Sequence, residues 1–518
     1  MLTLADRFGY NARRMEGNGT LKGNRAKRLA LPLLIIFLSL IPVWSAWRLH
    51  DRSFYDDSLI TLTYAKNIAR GNGFVFNHPP PVLGTTSPLF ALLIAALSVL
   101  LPGLPMTSIA ITFSCACWIG LLWLFFLFRN PLHLRPGECG VITAVLALSG
   151  WVTFLSFESY LFAFILILTL CLFIQRRYLL AGFGSTLLFL TRGEGILIFA
   201  LMTLVLLFSK TQEPERDIRF RHLIRLLLGF FIPWVVWSGY ALSTFGGIFP
   251  NTLSAKIIQG RMGLWKDFLP RLFREWTPAW IAPYSWKPFP WLNIWAIFTG
   301  LGIISIWKKH PFWKVLLAWI VAYIAGYSLL GVAAYPWYQV PVHFILHLLF
   351  AWGVLNALSF LGQTDGRWRI PLTTLILGAA LVPLAAHLMK QVKLQMPTEK
   401  DQLMKQVAAW MKSNTSPGES IAYFEVGYLG YYTDNRVIDI LGLVSPEMLR
   451  DLPGYDFNSG FWRAPTDYFL YSPFSKFTRP IYQDPRFALE YRKIKQFPDD
   501  RTFTLGLYQR KSQKETVR

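Results

Sequence analysis

SFYDDSLITLTYAKNIARGNGFVFN, residues 53–77, lies between two stretches apolar enough to cross a membrane. In a chain short of acids, Asp56 and Asp57 stand together just outside an apolar span, and a short helix carrying Lys66 and Arg70 follows. The two cations sit one turn apart on one helix face, and the helix is expected to stop at Gly71-Asn72-Gly73. Taken alone, the aspartate pair reads as an N-cap, accepting the free N–H groups of a helix that starts near Ser58. Together with the cations it also reads as a catalytic set, a carboxylate base with positive charge for an anionic leaving group.

Working outward, the composition is that of a membrane protein. Of 518 residues, 53% are hydrophobic and only 15% charged, against about 25% charged in ordinary soluble domains. Apolar runs suited to ~30 Å of hydrocarbon fall near 30–48, 88–102, 106–128, 138–156, 158–175, 178–191, 193–209, 222–243, 290–307, 311–331, 340–361 and 369–389. The net charge of +22 belongs mostly to this apolar part, since residues 1–389 hold 32 Lys and Arg against 14 Asp and Glu, and residues 390–518 hold 19 against 15. Its clusters are Arg13, Arg14, Lys22, Arg25, Lys27 and Arg28, then Arg129 with Arg135, Arg176 with Arg177, the segment 210–225, Lys308 with Lys309, and Arg367 with Arg369. The positive-inside rule assigns these to the cytoplasm, so no nucleic-acid partner is needed to explain the charge.

That assignment places a basic N-terminus, residues 1–29, inside, and the loops 49–87, 244–289 and 332–339 outside, with everything after 390. An odd number of crossings follows, about 11 transmembrane helices; 88–102, short and closed by Gly103-Leu104-Pro105, is the first segment expected not to cross fully, as a re-entrant or partly spanning helix, and 178–191 is also short. The basic start and the span 30–48 read as a retained signal anchor. Cys115, Cys117, Cys139 and Cys171 lie in or beside apolar segments and imply neither a disulfide framework nor a zinc site. The loop 244–289 carries Trp265, Trp276, Trp280, Tyr284 and Trp286, which suits the headgroup region. After 389 charges of both signs mix, and residues 390–518 read as a soluble extracytoplasmic α/β domain. Its expected elements are a helix over 399–413 and buried strands at 421–426 and 436–442 around the turn-rich GYLGYYTDN.

Seven acids of the apolar part fall on the outer side: Asp51, Asp56, Asp57, Glu158, Glu194, Asp267 and Glu275. Glu158 and Glu194 are flanked by apolar sequence, where a charge is costly unless paired or hydrated. Arg192, two residues from Glu194, is the partner on offer.

These stretches together resemble GT-C glycosyltransferases, in the branch that holds the mycobacterial terminal arabinofuranosyltransferases. DDSLITLTYAKNIARGNGFVFN with GTTSPL (84–89), TRGEG (191–195), FPNTLSAK (249–256), the aromatic group Tyr335–Gln339 and EVGYLGYYTDNRVIDILGLVSPE (425–447) occur in the order of that branch. Gly193 stands where members often have Pro, and Phe157-Glu158-Ser159 departs from the usual pattern. The resemblance implies a polytopic α-helical GT-C membrane domain over 30–389 in a bacterial inner membrane. It also implies a polyprenyl-phosphate sugar donor, inverting transfer to a glycan, lipid or protein acceptor on the extracytoplasmic face, and a role in cell-envelope assembly.

In that chemistry Asp56 or Asp57 is the general base, and Lys66, Arg70, Arg192 and Lys256 are candidates to hold the lipid phosphate. Glu158, Glu194, Asn251, Tyr335, Trp337, Tyr338 and Gln339 are the candidate substrate contacts. No cofactor is expected; a divalent ion would sit at the aspartate pair, with no ligand cluster beside it. A transporter or flippase for lipid-linked substrates is the rival from another class, and the internal repeats common in transporters are not visible.

Overall fold

The computed structural model describes residues 21–50, 54–77, 80–150, 152–208, 216–263, 267–272, 293–307, 309, 311–361, 366–394, 398–497 and 504–512. Asp51, Glu275 and the loop aromatics Trp265, Trp276, Trp280, Tyr284 and Trp286 lie outside these, as do residues 1–20.

Hydropathy sets most of the architecture. The helices run α1 Leu21–Leu49, α2 Asp56–Ala69, α3 Pro88–Leu100, α4 Met106–Leu127, α5 Pro136–Leu148, α6 Ser159–Ile174, α7 Tyr178–Thr191, α8 Ile196–Phe208, α9 Arg216–Phe245 and α10 Asn251–Arg261. After the single turn α11 Phe268–Arg271 come α12 Ile294–Ile306, α13 Pro311–Leu330, α14 Gln339–Leu361, α15 Gly366–Leu394, α16 Glu399–Asn414 and α17 Gly427–Tyr432. Among the described residues six helices are long and apolar enough to cross a bilayer, and six shorter apolar ones pack with them. The chain is a multi-pass membrane protein. The segment expected not to cross is α3, whose 13 residues span only about 20 Å.

One apolar run is broken where a single helix was expected. The segment 138–156 ends as α5 at Leu148 and resumes as one 3₁₀ turn, Val152–Phe154. A Cβ on Gly150 would lie 2.0 Å from the Trp118 ring, so that ring occupies the space a continuing side chain would need.

Close helix crossings rest on glycines, as is usual where lipid supplies no hydrophobic drive between helices. A Cβ on Gly353 of α14 would lie 1.6 Å from the Phe298 carbonyl oxygen of α12, and one on Gly302 would lie 1.8 Å from that of Leu349. Gly182 of α7 and Gly229 of α9 meet backbone in the same way. Gly353→Leu is expected to destabilise the bundle by about 1–3 kcal/mol through overpacking, seen as a lower melting temperature in detergent; an unchanged melt would refute this contact.

Lys309 of the α12–α13 turn pairs with Glu138 at the start of α5 at 3.3 Å. α2 and α10 bond to a domain built on a five-stranded sheet of order β2-β1-β3-β5-β4. Here β1 is Ser420–Tyr423, β2 Arg436–Asp439, β3 Tyr468–Tyr471, β4 Tyr491–Phe497 and β5 Leu505–Arg510. The first three strands are parallel, with Ile421 opposite Val437, and β5 runs antiparallel to β3 and β4. The helix expected over 399–413 is α16, started by a Thr398–Asp401 capping box. GYLGYYTDN departs from expectation: it forms α17 instead of a turn. Gly427 and Gly430 lie one turn apart and put a bare backbone face against α2 and Phe76, so tertiary contact overrides the poor helix propensity of glycine.

Candidate active site

The aspartates are not side-chain caps of their own helix. α2 starts at Asp56 after Tyr55 in an extended conformation, and no side chain caps it. Both aspartates therefore sit in the first turn, and each turns to a different partner. The Asp56 carboxylate accepts the backbone N–H of Tyr428 at 3.0 Å, at the start of α17. Burial, and then the negative charges of Glu425 and Asp57, push its carboxyl well above the ordinary range. Asp57 lies 3.5 Å from the Lys256 ammonium, and its side chain keeps 31% exposure while that of Lys256 keeps 5%. Of the pair, Asp57 is the carboxylate open to a reactant and held beside a cation.

Lys256 comes from α10, which follows the Phe249-Pro250 entry. Its ammonium stands over the Tyr335 ring at 3.5 Å and within 5.6 Å of the Trp337 ring centre. Such aromatic faces hold a buried cation without neutralising it. Tyr335 in turn donates its hydroxyl to the Gln259 side chain at 2.7 Å.

A second charged group lies at the α7–α8 turn, where a 3₁₀ turn over Gly193–Gly195 brings Arg192 and Glu194 to one side. Arg192 is buried and bonded on both sides, to Glu158 at 2.7 Å and Glu194 at 2.6 Å. Glu194 also accepts the Tyr327 hydroxyl at 3.3 Å, and the Tyr338 ring lies 5.8 Å from the Arg192 guanidinium. The chain's expected buried acids are thus paired through one arginine, the arrangement that makes such charges tolerable.

Arg192, Glu194, Lys256, Tyr323, Tyr327 and Tyr338 share one cavity of about 330 Å³, whose remaining wall is mostly apolar and includes Leu190, Ile196, Trp237, Phe249, Leu253 and Leu330. Charged and phenolic groups, with Thr85, Thr86 and Thr252, converge on a space whose wall is otherwise mostly apolar, the mixture expected of a binding site.

Other candidates fall elsewhere. Lys66 donates to the carbonyls of Gly430, Tyr431 and Thr433 at 2.9, 2.9 and 3.1 Å, and Arg70 pairs with Asp434 at 2.9 Å. Both cations of α2 are therefore engaged with the sheet-domain side, and neither of these phosphate candidates lines the cavity. Asn251 donates to the carbonyls of Gly442 and Leu443 at 2.7 and 2.8 Å, a latch between α10 and the loop after β2. Gln339 is buried at the start of α14 and does not line the cavity. Trp337 stacks on Phe157 and Tyr335, behind Lys256. Among the described residues no group of three His, Cys, Asp or Glu is placed to hold a metal ion.

Sequence reading missed Tyr323 and Tyr327, whose four-residue spacing on α13 was a usable signal, because they look like ordinary aromatic filling of a span. It also gave Glu425 no role, although this residue opens the EVGYLG motif. Glu425 takes an ion pair from Lys400 and leaves its second oxygen buried without a hydrogen-bond partner.

A solved structure, ArnT from Cupriavidus metallidurans bound to undecaprenyl phosphate, superposes over 92% of this chain and 98% of its own, with a TM-score of 0.57 and 12% identity. The chain has the GT-C fold. At that identity the likeness speaks for the fold, and the site residues stand on their own geometry. Residues 390–514 match a domain of unknown function, DUF8728. No curated protein sequence matches the chain.

Proposed function

We propose that this chain is an inverting glycosyltransferase that moves a sugar from a polyprenyl phosphate to an acceptor hydroxyl at the outer face of a bacterial cytoplasmic membrane. The observation that carries this is the ion pair of Asp57 with Lys256 at the edge of an apolar cavity that also holds Arg192. The apolar wall suits a prenyl chain, and the two cations suit its phosphate. The ArnT structure of the same fold holds undecaprenyl phosphate, which supports a donor of that kind.

In the proposed step the acceptor oxygen attacks the anomeric carbon from the side opposite the phosphate. A carbon–oxygen bond to the acceptor forms, the bond to the phosphate oxygen breaks with its electron pair, and the hydroxyl proton passes to the Asp57 carboxylate. A single displacement of this kind inverts the anomeric centre. Lys256 and Arg192 stabilise the phosphate charge as it develops, in surroundings dry enough for fixed cations to count. Asp57 and Lys256 hold each other in place before the donor arrives.

The first test compares lipid-linked sugars and envelope glycans of the host with and without this protein. Accumulation of one polyprenyl-phosphate sugar together with loss of one glycan feature is expected; identical profiles would reject the reading. A second test is binding of undecaprenyl phosphate to the purified protein. Lys256→Gln is expected to weaken it about 10- to 100-fold, the loss of one hydrogen bond to a charged group. Unchanged affinity would remove Lys256 from the phosphate site.

A further inference from the structure

We infer that α17 of the sheet domain is a built-in part of the catalytic centre: it grips α2 at two points and so sets the position of the base, Asp57. This rests on the proposed transfer reaction. Three independent observations carry it.

The first is a clamp on the two ends of one short helix. Asp56 accepts the N–H of Tyr428 at the start of α17. Ten residues further along α2, Lys66 takes up the carbonyls of Gly430, Tyr431 and Thr433 at its end. A carboxyl acceptor thus meets the amino end of α17 and an ammonium donor its carboxyl end, so free backbone groups at both ends of α17 are taken up by side chains of α2.

The second is close approach. A Cβ on Gly427 would lie 1.9 Å from the Asp56 carbonyl oxygen, and one on Gly430 would lie 2.4 Å from the Phe76 ring. α17 therefore rests directly on the backbone unit that precedes Asp57, a contact no larger residue permits at position 427.

The third is redundancy of the seam. Asn77 exchanges two hydrogen bonds with the backbone of Val437, at 2.7 and 3.0 Å. Asn251 of α10 binds the loop after β2, and within the sheet domain the Tyr428 hydroxyl donates to Asp401 at 3.0 Å, which fixes α17 on α16. α17, which follows β1, is held against the segment that carries the base, and the loop after β2 is held against α10, which carries its partner Lys256. An error of about 1 Å in placing a reacting group can cost on the order of 10²-fold in rate, so the contacts that α17 makes with the first turn of this 14-residue helix bear directly on a base carried there.

Asp56 is thereby a positioning residue, whose carboxyl oxygen matters as an acceptor and not as a proton carrier. The test uses the full-length protein in nanodiscs. Total polyprenyl-linked sugar extracted from host membranes is the donor and the host envelope fraction the acceptor, with release of undecaprenyl phosphate read by mass spectrometry. Asp56→Asn, which keeps an oxygen for the Tyr428 N–H, is expected to retain at least about a tenth of turnover, whereas Asp56→Ala and Gly427→Val fall about 100-fold. Lys66→Met, which loosens the other end without touching Asp56, is expected to lose at least about tenfold on the same grounds.

In all four, undecaprenyl phosphate affinity stays within about twofold, because the cavity is not touched; the loss lies in kcat. Asp56→Asn as inactive as Asp56→Ala would make Asp56 the proton acceptor and overturn the inference. Wild-type turnover in both Asp56→Ala and Lys66→Met would overturn it too, and these two decide the matter where Gly427→Val does not fold. Asp57→Asn with full turnover would instead sink the transfer reading itself, which separates the two failures.

Discussion

Asp57→Asn is expected to abolish most turnover, by about 10²–10⁴-fold, the range that a positioned general base supplies. The amide is nearly isosteric, and the hydrogen bond to α17 is made by Asp56 and not by this carboxylate. Its described polar partner is the Lys256 ammonium, which the substitution leaves in place. Undecaprenyl phosphate binding should be no weaker than in the unaltered protein, since Lys256 is freed from its internal counter-charge. The measurement is turnover on the native lipid-linked sugar pool beside a binding isotherm for undecaprenyl phosphate. Loss of turnover with binding intact is the expected split; equal loss of both, or loss of neither, would show that Asp57 is not the base.

Removing Arg192 is expected to have the largest effect on stability. Its guanidinium is shared by Glu158 and Glu194, and all three side chains are nearly inaccessible. Arg192→Ala leaves two acids buried with no cation between them, a change that costs about 3–5 kcal/mol when one member of a buried pair is lost. The expected result is a steep fall in melting temperature or in yield of folded protein. Combining Arg192→Met with Glu158→Gln and Glu194→Gln removes the charges together and should recover most of the stability. If Arg192 also holds the lipid phosphate, that triple variant stays folded yet binds undecaprenyl phosphate at least about tenfold more weakly, the loss of one charge-assisted hydrogen bond. Unweakened binding in the triple variant would leave Arg192 a purely structural role.

The comparison of α2 with α10 shows where sequence reading works and where it fails. Both carry lysines beside a conspicuous turn motif, and both were candidates for the phosphate. Lys256 is at the cavity, whereas Lys66 is committed to carbonyls 364 to 367 positions further along the chain. Nothing local separates the two cases, because a lysine's task is set by what fills the few ångströms around its ammonium. The aspartate pair makes the same point at closer range. Neighbouring residues at the start of one helix point about 100° apart, so one reaches α17 and the other reaches Lys256.

By itself the sequence determined the elements. Apolar run length gave most helices of the bundle, with several ends displaced and the run 138–156 broken at Leu148, because the cost of unsatisfied backbone in hydrocarbon leaves the chain few alternatives. Rarity of acids likewise singled out the Asp56–Asp57 pair, Glu158 and Glu194, while Lys256 entered through the FPNTLSAK stretch of the family resemblance. What only the tertiary structure decided is which of those charges face one another across a cavity and which serve as seams. That outcome depends on contacts between segments hundreds of residues apart, such as Asp56 with Tyr428 and Asn251 with Gly442. Pair energies fall off over a few ångströms, so proximity in space, invisible in the order of the chain, assigned each charge its work.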